Sequence, residues 1–171
     1  MKVQNDYFHR LHRLIYFSRA TPQTLFDMGT VFPAILQAAV RKNAEVEISG
    51  ALLECGGWFL QALEGPRINV TRVYERIGSD RRHQAIHLIK AEPVDERKFA
   101  NWHMCGRCLS PTDKQIVELL EGRNAFSPHK LTPASALNLL GVVREIQIAA
   151  QQRPESIGQS NAAEGPDVWA I

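Results

Sequence analysis

The chain places a phenol and a carboxamide, Tyr16 and Gln61, inside two apolar segments of strand length, His12 to Ser18 and Trp58 to Glu64. A buried hydroxyl or amide left without a partner costs about 1 to 3 kcal/mol, so polar residues in such company are informative. Strand alternation puts Leu14, Tyr16 and Ser18 on one face of the first segment, and Phe59, Gln61 and Leu63 on one face of the other. If the two strands are neighbours, phenol and amide meet, and an amide can donate or accept according to its orientation. On alternation alone the simpler reading is a buried polar pair in which Gln61 satisfies Tyr16 and nothing more. Other groups carry less. Cys105 and Cys108 form a C-x-x-C, but structural zinc needs four ligands, and Cys55 and His103 are not spaced as a second pair. Arg81, Arg82 and His83 read as a solvated turn, and the two His and two Arg from His9 to Arg13 as the approach to a strand. No G-x-x-x-x-G-K-S/T, G-x-S-x-G or H-E-x-x-H occurs, which leaves hydrolase and nucleotidyl chemistry without an obvious seat.

The elements that must position these groups follow from periodicity. From Thr30 to Asn43, Phe32, Ile35, Leu36, Ala39 and Val40 fall at helical spacing behind a Thr30 cap, with Pro33 early enough to be tolerated and Thr21 to Gly29 as a preceding loop. A second helix starts at Gly65-Pro66, shows Val70, Val73, Tyr74 and Ile77 on one face and stops at Gly78. Strands are predicted over His12–Ser18, Val46–Cys55, Trp58–Glu64, Ala85–Val94 and Phe99–Arg107, with Gly56-Gly57 as a hairpin turn. Two further helices are announced by the caps Ser110 and Thr132, each followed by proline. The order predicts an α+β, ferredoxin-like βαββαββ sandwich. Its mixed five-stranded sheet has two helices on one face and two C-terminal helices on the other, with the first and third strands adjacent at the centre. Residues 110–152 form the two-helix extension, and 153–171, rich in Ser, Pro, Gly, Glu and Asn, read as a disordered tail.

At 171 residues and 44% apolar composition, the chain suits about one domain with a substantial core. Twenty Lys plus Arg against eighteen Asp plus Glu leave a net charge of +2, the mark of neither a nucleic-acid binder nor an acidic solvating chain. Three cysteines cannot all pair within the chain, and no signal peptide or membrane-spanning run is visible, so a cytoplasmic protein is expected.

Six motifs in order resemble those of BLUF domains, the bacterial blue-light sensors using flavin. They are Arg13-Leu14-Ile15-Tyr16, Arg41-Lys42-Asn43, Ile48-Ser49-Gly50-Ala51-Leu52-Leu53, Phe59-Leu60-Gln61-Ala62-Leu63-Glu64-Gly65, Asp80-Arg81-Arg82-His83 and Trp102-His103-Met104. The resemblance covers about Arg10 to Arg107 and implies that residues 1–109 form a flavin-binding sensor domain. It implies that Tyr16 is the electron and proton donor to the excited flavin and Gln61 the amide that rearranges its hydrogen bonds. Asn43 is similar to the residue holding the ring's pyrimidine edge, and Arg82 to the arginine near its other carbonyl, with Asp80 and His83 as polar neighbours. Ile35 and Ile77 match the positions that sandwich the ring, and Trp102 and Met104 the strand residues near the glutamine.

A flat ring with apolar faces and hydrogen-bonding edges needs such a slot, branched aliphatics on the walls and a few polar groups at the rim. The implied protein is a short, stand-alone photoreceptor without catalysis of its own, holding FAD noncovalently, with FMN or riboflavin as alternatives. Its expected partners are the flavin, a downstream protein and further copies of itself, with no nucleic acid and no membrane. Competing readings are a ferredoxin-like enzyme, either a flavin reductase or an acylphosphatase-type hydrolase, and a single-strand RNA module. The last would need exposed strand aromatics and a basic sheet face that are not evident.

Overall fold

The computed structural model describes residues 8–109 and 126–152. In chain order the elements are β1 (Leu11–Ala20), α1 (Pro22–Phe26), α2 (Met28–Ala44), β2 (Ser49–Cys55), β3 (Trp58–Pro66), α3 (Arg67–Gly78), β4 (His83–Pro93), β5 (Cys105–Cys108), a 3-10 turn at Pro128–Lys130, and α4 (Pro133–Gln151). The sheet order is β4-β1-β3-β2-β5, antiparallel throughout except for β2 beside β5. This is the predicted α+β sandwich, with β1 and β3 paired at its centre.

Two cores lie back to back across the sheet. On one face Phe32 and Leu36 of α2 and Val70 and Val73 of α3 pack onto Leu14, Tyr16, Leu52 and Leu63. On the other, Ala136, Leu139, Leu140 and Val143 of α4 cover Ile15, Phe17, Leu53, Leu60 and Phe99. Each strand therefore alternates between two buried faces, which is why β1, β2 and β3 read as nearly continuous apolar runs. β4 is different. It is the outer edge strand, mostly exposed, with register shifts against β1 and a left-handed residue at Ala85 (φ 50°).

Several boundaries differ from the sequence expectation. The long helix starts at Met28, not behind a Thr30 cap, and the preceding loop is itself a short helix, capped by Thr21 accepting from Thr24 N with Pro22 in its first turn. β2 begins at Ser49, not Val46, because Glu47 adopts φ 55° and turns the chain after the helix. The strand predicted over Phe99–Arg107 is only Cys105–Cys108, since Trp102 N bonds back to Phe99 O in a turn. Trp102 and Met104 thus sit on the approach to β5 and not within it. At Gly56 and Gly57 the hairpin needs φ of 58° and 82°, which glycine adopts without steric cost. The Thr132 cap is realised as a capping box with Ser135. The helix expected behind Ser110 and the tail expected from 153 lie outside the described residues.

Candidate functional site

Adjacent antiparallel strands bring Tyr16 of β1 directly opposite Gln61 of β3. The phenol donates to Gln61 Oε1 in a buried hydrogen bond. Gln61 Nε2 in turn donates to Met104 Sδ at 3.4 Å. Tyr16 and Gln61 are 3% and 5% exposed, so this chain of three side chains has no water to fall back on. Burial pushes the Tyr16 phenol far above the ordinary tyrosine range, with the charges of Tyr74 and Asp80 adding to the shift. The ring is therefore a protonated donor at any physiological pH. Tyr74 packs edge-on against it at 5.3 Å between ring centroids.

Above the pair lies a cleft between α2 and α3 that is partly open to solvent. Ile35 and Ala39 from α2, Val73 and Ile77 from α3, and Leu52, Phe59 and Leu63 from the sheet make its apolar walls. Tyr16, Ser18, Asn43, Gln61, Asp80, Arg82 and His83 supply its polar groups, and Lys42 and Arg76 two further cations. Asn43, in the last turn of α2 and 4% exposed, donates through Nδ2 to the His103 carbonyl at 2.9 Å. Arg82 grips Asp80 through Nε and Nη2 at 2.5 to 3.0 Å, and its guanidinium holds the Asp80 carboxyl below the usual carboxylate range against a smaller opposing effect of burial. His83 joins β1 to α3, with Nδ1 2.8 Å from Ser18 Oγ and Nε2 2.7 Å from the Ile77 carbonyl. A carbonyl only accepts, so Nε2 carries the proton and, in the neutral ring, Nδ1 accepts from the serine.

Eight residues expected around one ligand, Tyr16, Ile35, Asn43, Gln61, Ile77, Asp80, Arg82 and His83, thus line a single cleft. Met104 belongs to the core beneath that cleft, and Trp102 to the core on the opposite face of the sheet. Of these two, Met104 is the one that hydrogen-bonds Gln61. The cleft fits a flavin by its own chemistry. Its walls are branched aliphatics, and Gln61 Nε2 has only a thioether, a weak acceptor, as its described partner, which leaves amide donor capacity for a ligand edge. Ser18 is the residue that sequence reasoning misses. It is fully buried and bonds Nδ1 of His83; its place on the Tyr16 face is visible from alternation, but its partner is not. Among the described residues no group of three or more His, Cys, Asp or Glu could hold a metal ion, and burial pushes the Cys55 and Cys105 thiols up to about 11 and 12.

Residues 11–105 match the family described as BLUF, sensors of blue-light using FAD, and the chain belongs to that family of flavin-binding blue-light photoreceptors. Among curated proteins it is similar to the photoactivated adenylate cyclase subunit beta of Euglena gracilis, 39% identical over 90 residues, which cover 52% of this chain and 10% of that one. The corresponding subunit of Euglena longa is 37% identical over 94 residues, covering 54% and 10%. The chain therefore spans about a tenth of the length of the curated relatives it matches. Among solved structures it resembles BlsA in its photo-activated state, with 27% identity, a TM-score of 0.68 and coverage of 78% of this chain and 94% of that one. It also resembles BlrB, a BLUF protein in its dark state, with 25% identity, a TM-score of 0.60 and coverage of 82% and 98%.

Proposed function

We propose that this chain senses blue light through a flavin seated between α2 and α3, and that the described residues act as a sensor and not as a catalyst. The observation that carries the reading is the buried chain from Tyr16 to Gln61 to Met104 at the floor of the cleft. Ile35 and Ile77 sandwich the ring, Asn43 and Arg82 hold its polar edges, and Asp80 and His83 keep Arg82 and the end of α3 in place. When bound, the flavin supplies the blue-light absorption and an excited state that takes up an electron and a proton. Tyr16 supplies the electron and the proton from Oη, and Gln61 Oε1, its acceptor in the dark, is the atom through which that proton moves. A half-turn of the Gln61 amide, or a change of its tautomer, exchanges donor for acceptor at nearly constant shape, which alters what the ring edge and Met104 each receive. Released from Tyr16 and Met104, the amide gives a different hydrogen-bond pattern without moving the backbone that carries it.

FAD is the flavin we favour over FMN or riboflavin. The output is a light-dependent contact with a protein partner or with further copies of the chain, in the cytoplasm, where the thiols of Cys55, Cys105 and Cys108 stay reduced. No helix among the described residues is long and apolar enough to cross a membrane. The test is absorbance of the purified protein before and after blue illumination. A yellow protein whose flavin band moves to the red and returns in the dark is the expected result, and a band that bleaches or stays put refutes the reading.

A further inference from the structure

The connection from β4 to β5 is anchored by groups that the proposed photochemistry does not use. Glu64, on the face of β3 opposite Gln61, is fully buried. Its carboxylate accepts from Arg13 Nε at 2.6 Å, from the backbone amides of Lys98 and Phe99 at 3.1 and 2.9 Å, and from Ser49 Oγ at 3.5 Å. Arg97 closes the same corner, donating to Ser49 Oγ at 2.9 Å and to the carbonyls of Glu64 and Glu47 at 2.7 Å each. Beyond this anchor Phe99 fills the core under α4, and Arg144 of α4 donates to the Lys98 carbonyl at 2.6 Å. At the far end the pocket holds the same segment. Gly50 N donates to Trp102 O at 3.0 Å, Asn43 to His103 O, and Gln61 to Met104 Sδ.

The strap from Lys98 to Met104 is thus fixed unequally. One end sits on charge-assisted, buried hydrogen bonds, the strong kind. The other carries neutral hydrogen bonds at the Trp102 and His103 carbonyls and, at its tip, the Met104 thioether, the weakest acceptor in the set. A change in what Gln61 donates therefore reaches the strap at its Met104 end, away from the Glu64 anchor.

We propose that Glu64 is a positioning residue for the light response: its carboxylate sets the strap so that Met104 meets the Gln61 amide, and the Lys98 carbonyl passes any shift of the strap to Arg144 and α4. The inference rests on the light-sensing role of the Tyr16–Gln61 pair. A residue that merely held the fold would leave the photoproduct's lifetime and the response of α4 untouched.

The experiment compares flavin-loaded wild type, Glu64→Gln, Arg144→Gln and Arg144→Lys by absorbance in the dark and under blue light, and by hydrogen exchange. In Glu64→Gln, which keeps the size and removes the charge, the Lys98 and Phe99 amides exchange at least about tenfold faster and dark recovery changes at least about threefold. Arg144→Gln keeps the red shift and loses the light-dependent exchange of α4, and Arg144→Lys, which keeps a cationic donor, restores it. Arg144 has a side chain about one-third exposed (32%), so this pair decides the matter if Glu64→Gln does not fold. A normal wild-type red shift with unaltered strap exchange and recovery in Glu64→Gln, or a full α4 response in Arg144→Gln, overturns the coupling and leaves light sensing intact. A wild type with no red shift overturns both.

Discussion

Replacing Tyr16 by phenylalanine removes one oxygen from a ring that keeps its apolar packing and its edge contact with Tyr74. What is lost is the hydrogen bond to Gln61 Oε1. A bond of this kind contributes about 0.5 to 1.5 kcal/mol, and stranding the buried amide oxygen raises the cost toward 3, so Tyr16→Phe is expected to be roughly 1 kcal/mol less stable at neutral pH. At high pH the order reverses. Burial, with Tyr74 and Asp80 adding, keeps the Tyr16 phenol protonated well above the ordinary range, while in the unfolded chain it titrates near 10. Because the folded pKa is the raised one, the native state's advantage is fully present below about pH 10 and is lost as pH rises toward the folded value, by about 1.4 kcal/mol per pH unit. Tyr16→Phe lacks this loss, and the other two tyrosines are common to both proteins. The stability difference should therefore shrink above about pH 10 and vanish near pH 11. Urea unfolding of flavin-loaded protein across that range measures it, and the same samples should show that the variant keeps its flavin and loses the red shift. Parallel stability profiles up to about pH 11 would mean that Tyr16 titrates like a surface phenol, and a normal photocycle would remove it from the mechanism.

Gln61→Leu roughly keeps volume and removes both donor and acceptor, so it should retain fold and flavin and lose the red shift, read by difference absorbance. Asn43→Ala should raise the flavin dissociation constant by roughly 5- to 150-fold, equivalent to about 1 to 3 kcal/mol, and should also speed exchange around His103, whose carbonyl it releases. Gly50→Ala would put a methyl 2.2 Å from the Ala62 carbonyl and 3.2 Å from Met104 Cε, between two central strands. It should cost about 1 to 3 kcal/mol in thermal or urea unfolding, and an unchanged midpoint would show that β2 and β3 can part there freely.

The pairing of β1 with β3 and the meeting of Tyr16 with Gln61 are legible from alternation and strand order, because both depend on patterns of period two. The short α1 is not legible: Thr21 before Pro22 has the chemistry of a helix start, but five residues show no periodicity and the segment reads as a loop. Nor is the strap. Phe99 and Trp102 are apolar residues in a segment of strand length, but Trp102 N turns back to Phe99 O, and the Phe99 amide goes to a carboxylate more than thirty residues away in sequence. Glu64 appears in the sequence only as the last residue of a predicted strand, since nothing local reveals that Arg13, Ser49 and two amides converge on it. The same holds for Ser18 and His83, whose bond depends on where β4 begins relative to β1.

Among the described residues β4 leaves an eleven-residue strand at the sheet edge, beside the strand that carries Tyr16. A flat edge of that length is a template for strands of other chains. The register shifts against β1 and the left-handed Ala85 twist and interrupt this one, so an incoming strand would find the ladder out of step within a few residues. The irregularity guards a light-responsive core against edge-to-edge association on a side where no helix among the described residues covers the edge. It also means that straightening β4, by restoring an unbroken register to β1, would trade resistance to aggregation for a tidier sheet.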